Sequence, residues 1–277
     1  MRRWALRIGG ALLLLGLAFL GWTYWQATRP PIVRHGAVTV ADWPAGEPSR
    51  TVLLISDTHV AGPDMPPARL ARLLEDLNAL KPDLILLAGD YISEKKVATR
   101  FYSADESVAP LARLTAPLGV FAVLGNHDYW ADGPAFRAAF ARHRIPLLIN
   151  SAVRRGPFVI GGVDDATTRH ADVRATQAAM AALGPGARIL LAHSPEIEDR
   201  IAAPVDALLA GHTHCGQLRL PGLVFPSIFR PCGAQRTAGG APRFVTAGIG
   251  TSVLPLRFAA PADVWLIRFS PPASRTR

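Results

Sequence analysis

Five short stretches of the chain carry side chains able to bind metal or move protons: Asp57-Thr58-His59, Gly89-Asp90, Gly125-Asn126-His127-Asp128, His193, and Gly211-His212-Thr213-His214. Their O and N donors are of intermediate hardness. Such a set suits Mn, Fe, Zn or Co better than Ca or Mg alone, and the lack of thiolate argues against a structural zinc site. Two aspartates would neutralise part of the charge of two divalent ions. In Asp57-x-His59 and His212-x-His214 the spacing of two lets both side chains face one side of an extended segment. Glycine at 89, 125 and 211 leaves room for tight turns that aim the donors inward. Each stretch alone is a weak signal, because Asp-x-His is more often a turn and Gly-Asp is nearly uninformative. Gly-Asn-His-Asp and Gly-His-Thr-His are more specific, since adjacent polar side chains after an apolar strand are costly to bury without partners. Five of the eight histidines lie in this series. His35, His143 and His170 do not, and are read as surface or packing residues.

The stretches have one property in common: each follows an apolar run that reads as a strand. Those runs are Thr51–Ile55, Leu84–Leu87, Val120–Leu124, Arg188–Ala192 and Ala207–Leu209. Further strands are expected at Phe158–Ile160, Gln217–Leu220, Phe244–Ala247 and Val264–Phe269. Helical spacing of Leu70, Leu73, Leu74, Leu77 and Leu80 predicts a helix over Pro67–Leu80. Others are expected near Ala135–His143 and Asp172–Leu183. Ser194-Pro195-Glu196 reads as an N-cap, a first-turn proline and a dipole-favoured carboxylate opening one more. Strands alternating with helices predict an α/β fold with crossover connections. In such sheets ligands bind beyond the carboxyl ends of the strands, so donors remote in sequence can converge there.

The N-terminus has a different task. After the basic Met1-Arg2-Arg3-Trp4-Ala5-Leu6-Arg7, Ile8 to Trp25 carries no charge and is long enough to cross a bilayer core as a helix. Trp22, Tyr24 and Trp25 sit at its far end, where amphipathic rings prefer the headgroup level. No clear small-x-small cleavage site follows, so residues 1–28 are expected to be an uncleaved signal anchor. Arg2, Arg3 and Arg7 precede the span, and Arg29 and Arg34 follow it. This slight excess predicts a single-pass protein of the bacterial inner membrane with its catalytic domain on the extracytoplasmic side. Residues 29–50 read as a linker and lead-in with a short strand at Val38–Val40. Residues 51–270 read as the catalytic domain, and 271–277 as a frayed tail.

The chain has 277 residues, 49% of them apolar, with a net charge of +9, which suits one α/β domain and anionic partners. No nucleic-acid motif or basic run accompanies that charge, so no nucleic acid is expected. Cys215 and Cys232 make no disulfide framework and no thiolate cluster; one bridge in an oxidising compartment and two free thiols are both open. Nothing in the sequence sets an oligomeric state.

The ordered series Asp57-x-His59, Gly89-Asp90, Gly125-Asn126-His127-Asp128, His193 and Gly211-His212-x-His214 resembles the calcineurin-like metallophosphoesterase superfamily. Gly-Asn-His-Asp-Tyr-Trp, Ala-His-Ser-Pro-Glu and Gly-His-Thr-His-Cys-Gly-Gln, with Gly248-Ile249-Gly250-Thr251-Ser252 and Leu254-Pro255-Leu256-Arg257-Phe258, resemble its bacterial YkuE/YaeI-type branch. The resemblance covers roughly residues 50 to 270. It implies a two-sheet β-sandwich flanked by helices, and two divalent metal ions, Mn ahead of Fe or Zn. Asp57, His59 and His214 would hold the first ion. Asn126, His193 and His212 would hold the second, and Asp90 would bridge both. A hydroxide activated by the metals would attack phosphorus in line. His127 would bind the phosphoryl oxygen or protonate the leaving group, with Asp128 on its other ring nitrogen.

Two departures from the pattern carry information. Gly89-Asp90-Tyr91-Ile92-Ser93-Glu94 lacks the Asp-Arg pair of protein-phosphatase relatives, which counts against a protein phosphatase. Cys215 stands where many relatives have Gly. The apolar, turn-rich stretch Leu220–Phe229 suggests a site for an acyl chain, and thus a lipid-linked phosphoester such as UDP-diacylglucosamine; a cover loop on the sheet explains it equally well. Lys95, Lys96 and Arg100 could attract an anionic substrate, though a solvated charge run is the simpler reading. The competing function is a non-catalytic, membrane-tethered metal-binding or interaction module of the same fold. It predicts missing ligands, whereas every matched ligand position is filled.

Overall fold

The computed structural model describes residues 2–219 and 232–272. Its elements, in chain order, are α1 (Arg2–Thr28), β1 (Ile32–Thr39), β2 (Arg50–Ile55), α2 (Pro67–Asn78), β3 (Leu84–Ala88), α3 (Ala104–Val108), β4 (Val120–Val123), α4 (Asn126–Arg142), β5 (Ser151–Arg155), β6 (Phe158–Gly162), α5 (Val173–Ala182), β7 (Ala187–Leu191), β8 (Ala207–Ala210), β9 (Gly233–Arg236), β10 (Pro242–Val245) and β11 (Asp263–Ser270).

The strands form two sheets, ordered β1-β11-β2-β3-β4 and β5-β6-β7-β8-β10-β9. β2, β3 and β4 run parallel, as do β6, β7, β8 and β10. The uninterrupted apolar runs follow from this layering, because a strand in a covered sheet is buried on both faces. Alternate residues of β2 show it: Val52 and Leu54 pack into the sandwich with Phe121, Phe158, Ile189 and Leu209. Leu53 and Ile55 face the other way, against Leu70, Leu74 and Leu77 of α2 and Phe136 and Phe140 of α4. On the outer face of the second sheet Val159, Leu190 and Leu208 meet Val173 and Met180 around α5. The chain is therefore the expected two-sheet sandwich with helices on both outer faces.

Several expectations are corrected. The lead-in holds an eight-residue edge strand, β1, paired in parallel with β11 along its whole length. The helix expected near Ala135 begins nine residues earlier, at Asn126, and kinks at Asp132 (φ −172°, ψ 86°). The Asp132 carboxylate accepts the Ala135 N–H at 3.0 Å, so a second cap restarts the helix just before the predicted segment. The turn opened by Ser194-Pro195 is a 3₁₀ helix, Pro195–Arg200. The strand expected at Gln217–Leu220 is one bridge, Leu218 to Phe258, and Leu220 lies outside the described residues.

α1 is long and apolar enough to cross a membrane. Its last turns lie against the domain, with Thr23 and Ala27 buried.

Phe158 is fully buried in the inter-sheet core, with its ring 5.8 Å from Trp43 and 5.3 Å from Phe269. Phe158→Ala is expected to cost about 3–5 kcal/mol, read as a lower denaturant midpoint in detergent. An unchanged midpoint would place the stabilising core elsewhere.

Candidate metal centre

All seven predicted donors, Asp57, His59, Asp90, Asn126, His193, His212 and His214, meet at the carboxyl ends of β2, β3, β4, β7 and β8. The donor atoms of Asp57, His59 and His214 lie within 4.8 Å of one another, as do those of Asp90, His193 and His212. His193 Nε2 is 3.1 Å from Asn126 Oδ1. Asp90 Oδ2 stands between the groups, 3.5 Å from His59 Nε2 and 3.2 Å from His193 Nε2.

The ring orientations define what the cluster can bind. His59 Nδ1 faces the Ile92 carbonyl at 3.0 Å, and His193 Nδ1 faces the Ala88 carbonyl at 2.7 Å. A carbonyl only accepts, so each Nδ1 carries a proton and each Nε2 is the ring position turned toward the cluster. Around those two nitrogens are further atoms able to ligate a metal: His214 Nε2 at 2.9 Å from His59, and His212 Nδ1 at 3.1 Å from His193, besides the carboxylates. Electron pairs crowded in this way are stabilised by a cation, and carboxylate, amide oxygen and imidazole together suit borderline divalent metals. The donor set thus fits two adjacent divalent ions.

The electrostatics point the same way. Asp57, Asp90, Asp128, His59 and His193 are essentially excluded from solvent. Burial pushes Asp57 up to about 7. Burial, reinforced by the Asp90 charge, pushes Asp128 up to about 8. Burial holds His59 and His214 well below the usual imidazole range, the state in which they ligate metal. For His193 burial works downward too, but Asp90, through its charge and hydrogen bond, and then Asp57 prevail and raise it to about 10. The site is short of positive charge.

The loops that present these groups are unusual. Asp57, His59, Asp90, His212 and His214 all have φ between +44° and +68°. Non-glycine residues seldom adopt this region, and each costs about 1–3 kcal/mol unless its surroundings over-determine it. The surroundings do so here. Asp57 N–H donates to Gly89 O at 2.9 Å, His59 N–H to Asp90 O at 3.0 Å, and Gly250 N–H to Asp57 O at 2.7 Å. Two glycines are needed for close approach. A Cβ at Gly125 would strike the Asp90 carboxylate, and one at Gly211 would strike Ser56 Oγ and Asp57 Oδ2.

Asp128 does not orient His127 as expected. One of its oxygens accepts the Gly125 and Asp90 N–H groups at 2.8 and 3.0 Å, and the other accepts Tyr91 N–H at 2.7 Å. It is a positioning residue that staples the 89–91 turn to the start of α4. The His127 ring is instead bordered by Ser252 Oγ (3.5 Å from Nε2), Glu94 Oε2 (3.9 Å from Nδ1) and the exposed Trp130 ring (centroids 4.9 Å). His127 N–H donates to Asp90 Oδ1 at 2.9 Å, which couples its position to the cluster.

Lys95 also departs from expectation. It is buried, with Nζ 2.6 Å from Asp64 Oδ1 and 3.0 Å from Thr251 Oγ1, and it anchors the Thr251-Ser252 turn. Lys96 and Arg100 are exposed. The roles of Ser252, Glu94 and the Asp64–Lys95–Thr251 group were missed because no spacing signal links them; only the fold brings them together. Cys215 and Cys232 form a disulfide directly after His214. His35 is exposed, His143 pairs with Asp105 at 3.0 Å, and His170 stacks on Tyr129, all outside the cluster. The stretch Leu220–Phe229 lies outside the described residues.

Comparison with known proteins agrees with this geometry. The sequence model of the family described as "Calcineurin-like phosphoesterase" matches residues 50–216. The chain is 30% identical over 259 residues to the uncharacterised metallophosphoesterase YkuE of Bacillus subtilis, covering 88% of each chain. It is 31% identical to an uncharacterised metallophosphoesterase of Aquifex aeolicus, over 78% of this chain and 83% of that one. It is 29% identical to a Danio rerio "transmembrane protein with metallophosphoesterase domain", over 86% of this chain and 57% of that one. The chain spans about half the length of the animal relatives it matches.

Gly211→Ala is expected to fold with an unchanged far-ultraviolet spectrum and to lose bound metal in elemental analysis, because the new methyl displaces Asp57. Full metal content in that variant would show that Asp57 is not held by this contact.

Proposed function

The chain belongs to the calcineurin-like phosphoesterase family, and from that premise we propose that it is a membrane-anchored, dimetal-dependent phosphodiesterase. The observation that carries the reading is the convergence of His59, His193, His212 and His214 on Asp57 and Asp90 in a dry pocket. Asp57, His59 and His214 would hold one ion, Asn126, His193 and His212 the other, with Asp90 shared. When bound, two divalent ions lower the pKa of a water and stabilise charge on phosphoryl oxygens.

The chain's own residues do the rest. His127, half-buried at the rim of the cluster, hydrogen-bonds the phosphoryl oxygen and donates a proton to the leaving oxygen. Asp90 holds the His127 main chain and Asp128 holds the Asp90 turn, so proton donor and ligands keep one geometry. Ser252 steadies the ring from the far side.

Mn is the metal we favour, ahead of Fe and Zn, all of which carboxylate and imidazole donors without thiolate accommodate. The substrate class we favour is lipid-linked, with a nucleotide-sugar lipid such as UDP-diacylglucosamine as the example. An apolar wall of Leu218, Val253 and Leu254 beside His212 and His214 supports it. The Cys215–Cys232 bridge supports a catalytic domain outside the cytoplasm, where disulfides persist.

Asp90→Asn and His127→Ala should each lower hydrolysis of a p-nitrophenyl phosphodiester by about 100-fold or more. Only Asp90→Asn should lose metal. Normal hydrolysis by both variants would overturn the assignment. In membranes isolated without reductant, Cys215 and Cys232 should resist alkylation until a reductant is added. Immediate alkylation of both would put the domain on the cytoplasmic side.

A further inference from the structure

α1 does not leave the catalytic domain as a free stalk. Thr23 O accepts the Arg257 N–H at 3.0 Å. Arg69 Nη2 donates to Thr28 O at 2.9 Å and to Arg29 O at 3.3 Å, covering the last carbonyls of the helix. The Phe258 ring packs between Phe19 and Trp22, at centroid distances of 5.4 and 5.7 Å. The helix and the 257–258 turn are therefore one packed unit.

That contact has a depth. A hydrocarbon core of about 30 Å takes roughly 20 residues at 1.5 Å each. Counted from the charge of Arg7, the far boundary falls between Trp25, in the aromatic belt, and Thr28. Phe19 then lies roughly 9–14 Å inside it, and Trp22 and Thr23 roughly 3–9 Å. Whatever packs on them lies at the level of the lipid headgroups or below.

The segment that does so is Ser252–Phe258, and its chemistry suits that level. Its single charge, Arg257, is fully buried. The guanidinium turns inward and donates to the carbonyls of Ala247, Gly248, Gly250 and Ala260. Val253 is left 73% exposed, and the neighbouring Leu254, Pro255 and Leu256 are half-buried and uncharged. The segment is also stiff: Gln217 Nε2 donates to Leu254 O at 2.7 Å and Leu256 O at 2.9 Å, and its Oε1 accepts Ser252 N–H at 2.9 Å. Its inner side lines the cavity shared with His212, His214 and Leu218.

We propose that Val253–Leu256 is a second membrane-contacting element, set into the same bilayer that α1 crosses, on the side where α1 ends. The metal cleft then opens at headgroup level. It takes from the membrane a phosphoester whose apolar part stays in lipid while its phosphorus reaches the cluster. The contact with the bilayer stands on the geometry alone; that the molecule arriving there is a phosphoester rests on the function proposed above.

The test uses the full chain reconstituted in phosphatidylcholine–phosphatidylglycerol vesicles, with the native disulfide intact. An environment-sensitive fluorophore is placed at Val253→Cys or Leu256→Cys, and as a reference at Arg155→Cys, exposed at the opposite ends of the strands. Nitroxide carried on lipid acyl chains should quench 253 and 256 several-fold more than 155, and aqueous iodide should do the reverse. Equal iodide quenching at all three positions, with no lipid quenching at 253 or 256, would overturn the proposal. The readout needs no turnover. Failure of the wild-type chain to hydrolyse a soluble phosphodiester would count against the phosphoesterase reading and leave the depth result standing.

Discussion

Lone pairs and negative charge are gathered out of water in this protein, with too little positive charge among the side chains to balance them. Two imidazole rings are oriented by main-chain carbonyls behind them, so that each Nε2 faces carboxylates and further imidazoles across about one hydrogen-bond length. Burying such a set is expensive unless a cation joins it. Most of the local architecture serves that arrangement. The sheets bring five strand ends to one edge, and the turns after them aim the donors inward.

The turns meet a cost that the sheets do not. Five donors sit in a backbone region that side chains disfavour, so the site stores strain that its surroundings must hold. The restraints come from remote parts of the chain. Asp128 ties the Asp90 turn to α4, the 248–250 turn packs on Asp57, and the buried Lys95–Asp64 pair fixes Thr251 beside Ser252. An ion pair so buried adds little net stability, but removing either partner leaves a charge stranded. Its value here lies in locating the turn that borders His127.

Arg257 connects the site to α1. Its side chain satisfies the carbonyls of the turn that packs on Asp57, and its main chain binds α1. One residue therefore links the shape of the cleft to its position on α1. A helix tethered by a flexible linker would leave that position free, whereas a docked one fixes it.

What could be read from the sequence depended on whether a signal was local. The strands buried on both faces were visible as unbroken apolar runs, and α2 as a leucine repeat, because burial acts on neighbouring residues. The donors stood out because Asp, His and Asn after such runs make little sense without a shared task, and their family resemblance paired them. Elements with weak local signals were missed or shortened: the edge strand β1, half exposed and mixed in composition; β5 and β9, also at edges; and the first nine residues of α4, hidden by its polar start and the Asp132 kink. The role of Asp128 was misassigned and the burial of Lys95 unforeseen, since both depend on partners 30 or more residues away. The sequence by itself determined the alternation of strands and helices, the candidate membrane span and the chemical type of the donors, which follow from periodicity and composition, while the two-sheet layering came from the family resemblance. Only the tertiary structure decided which atoms face one another, which backbone positions bear strain, and where the cleft lies relative to α1, because these are set by contacts between segments far apart along the chain.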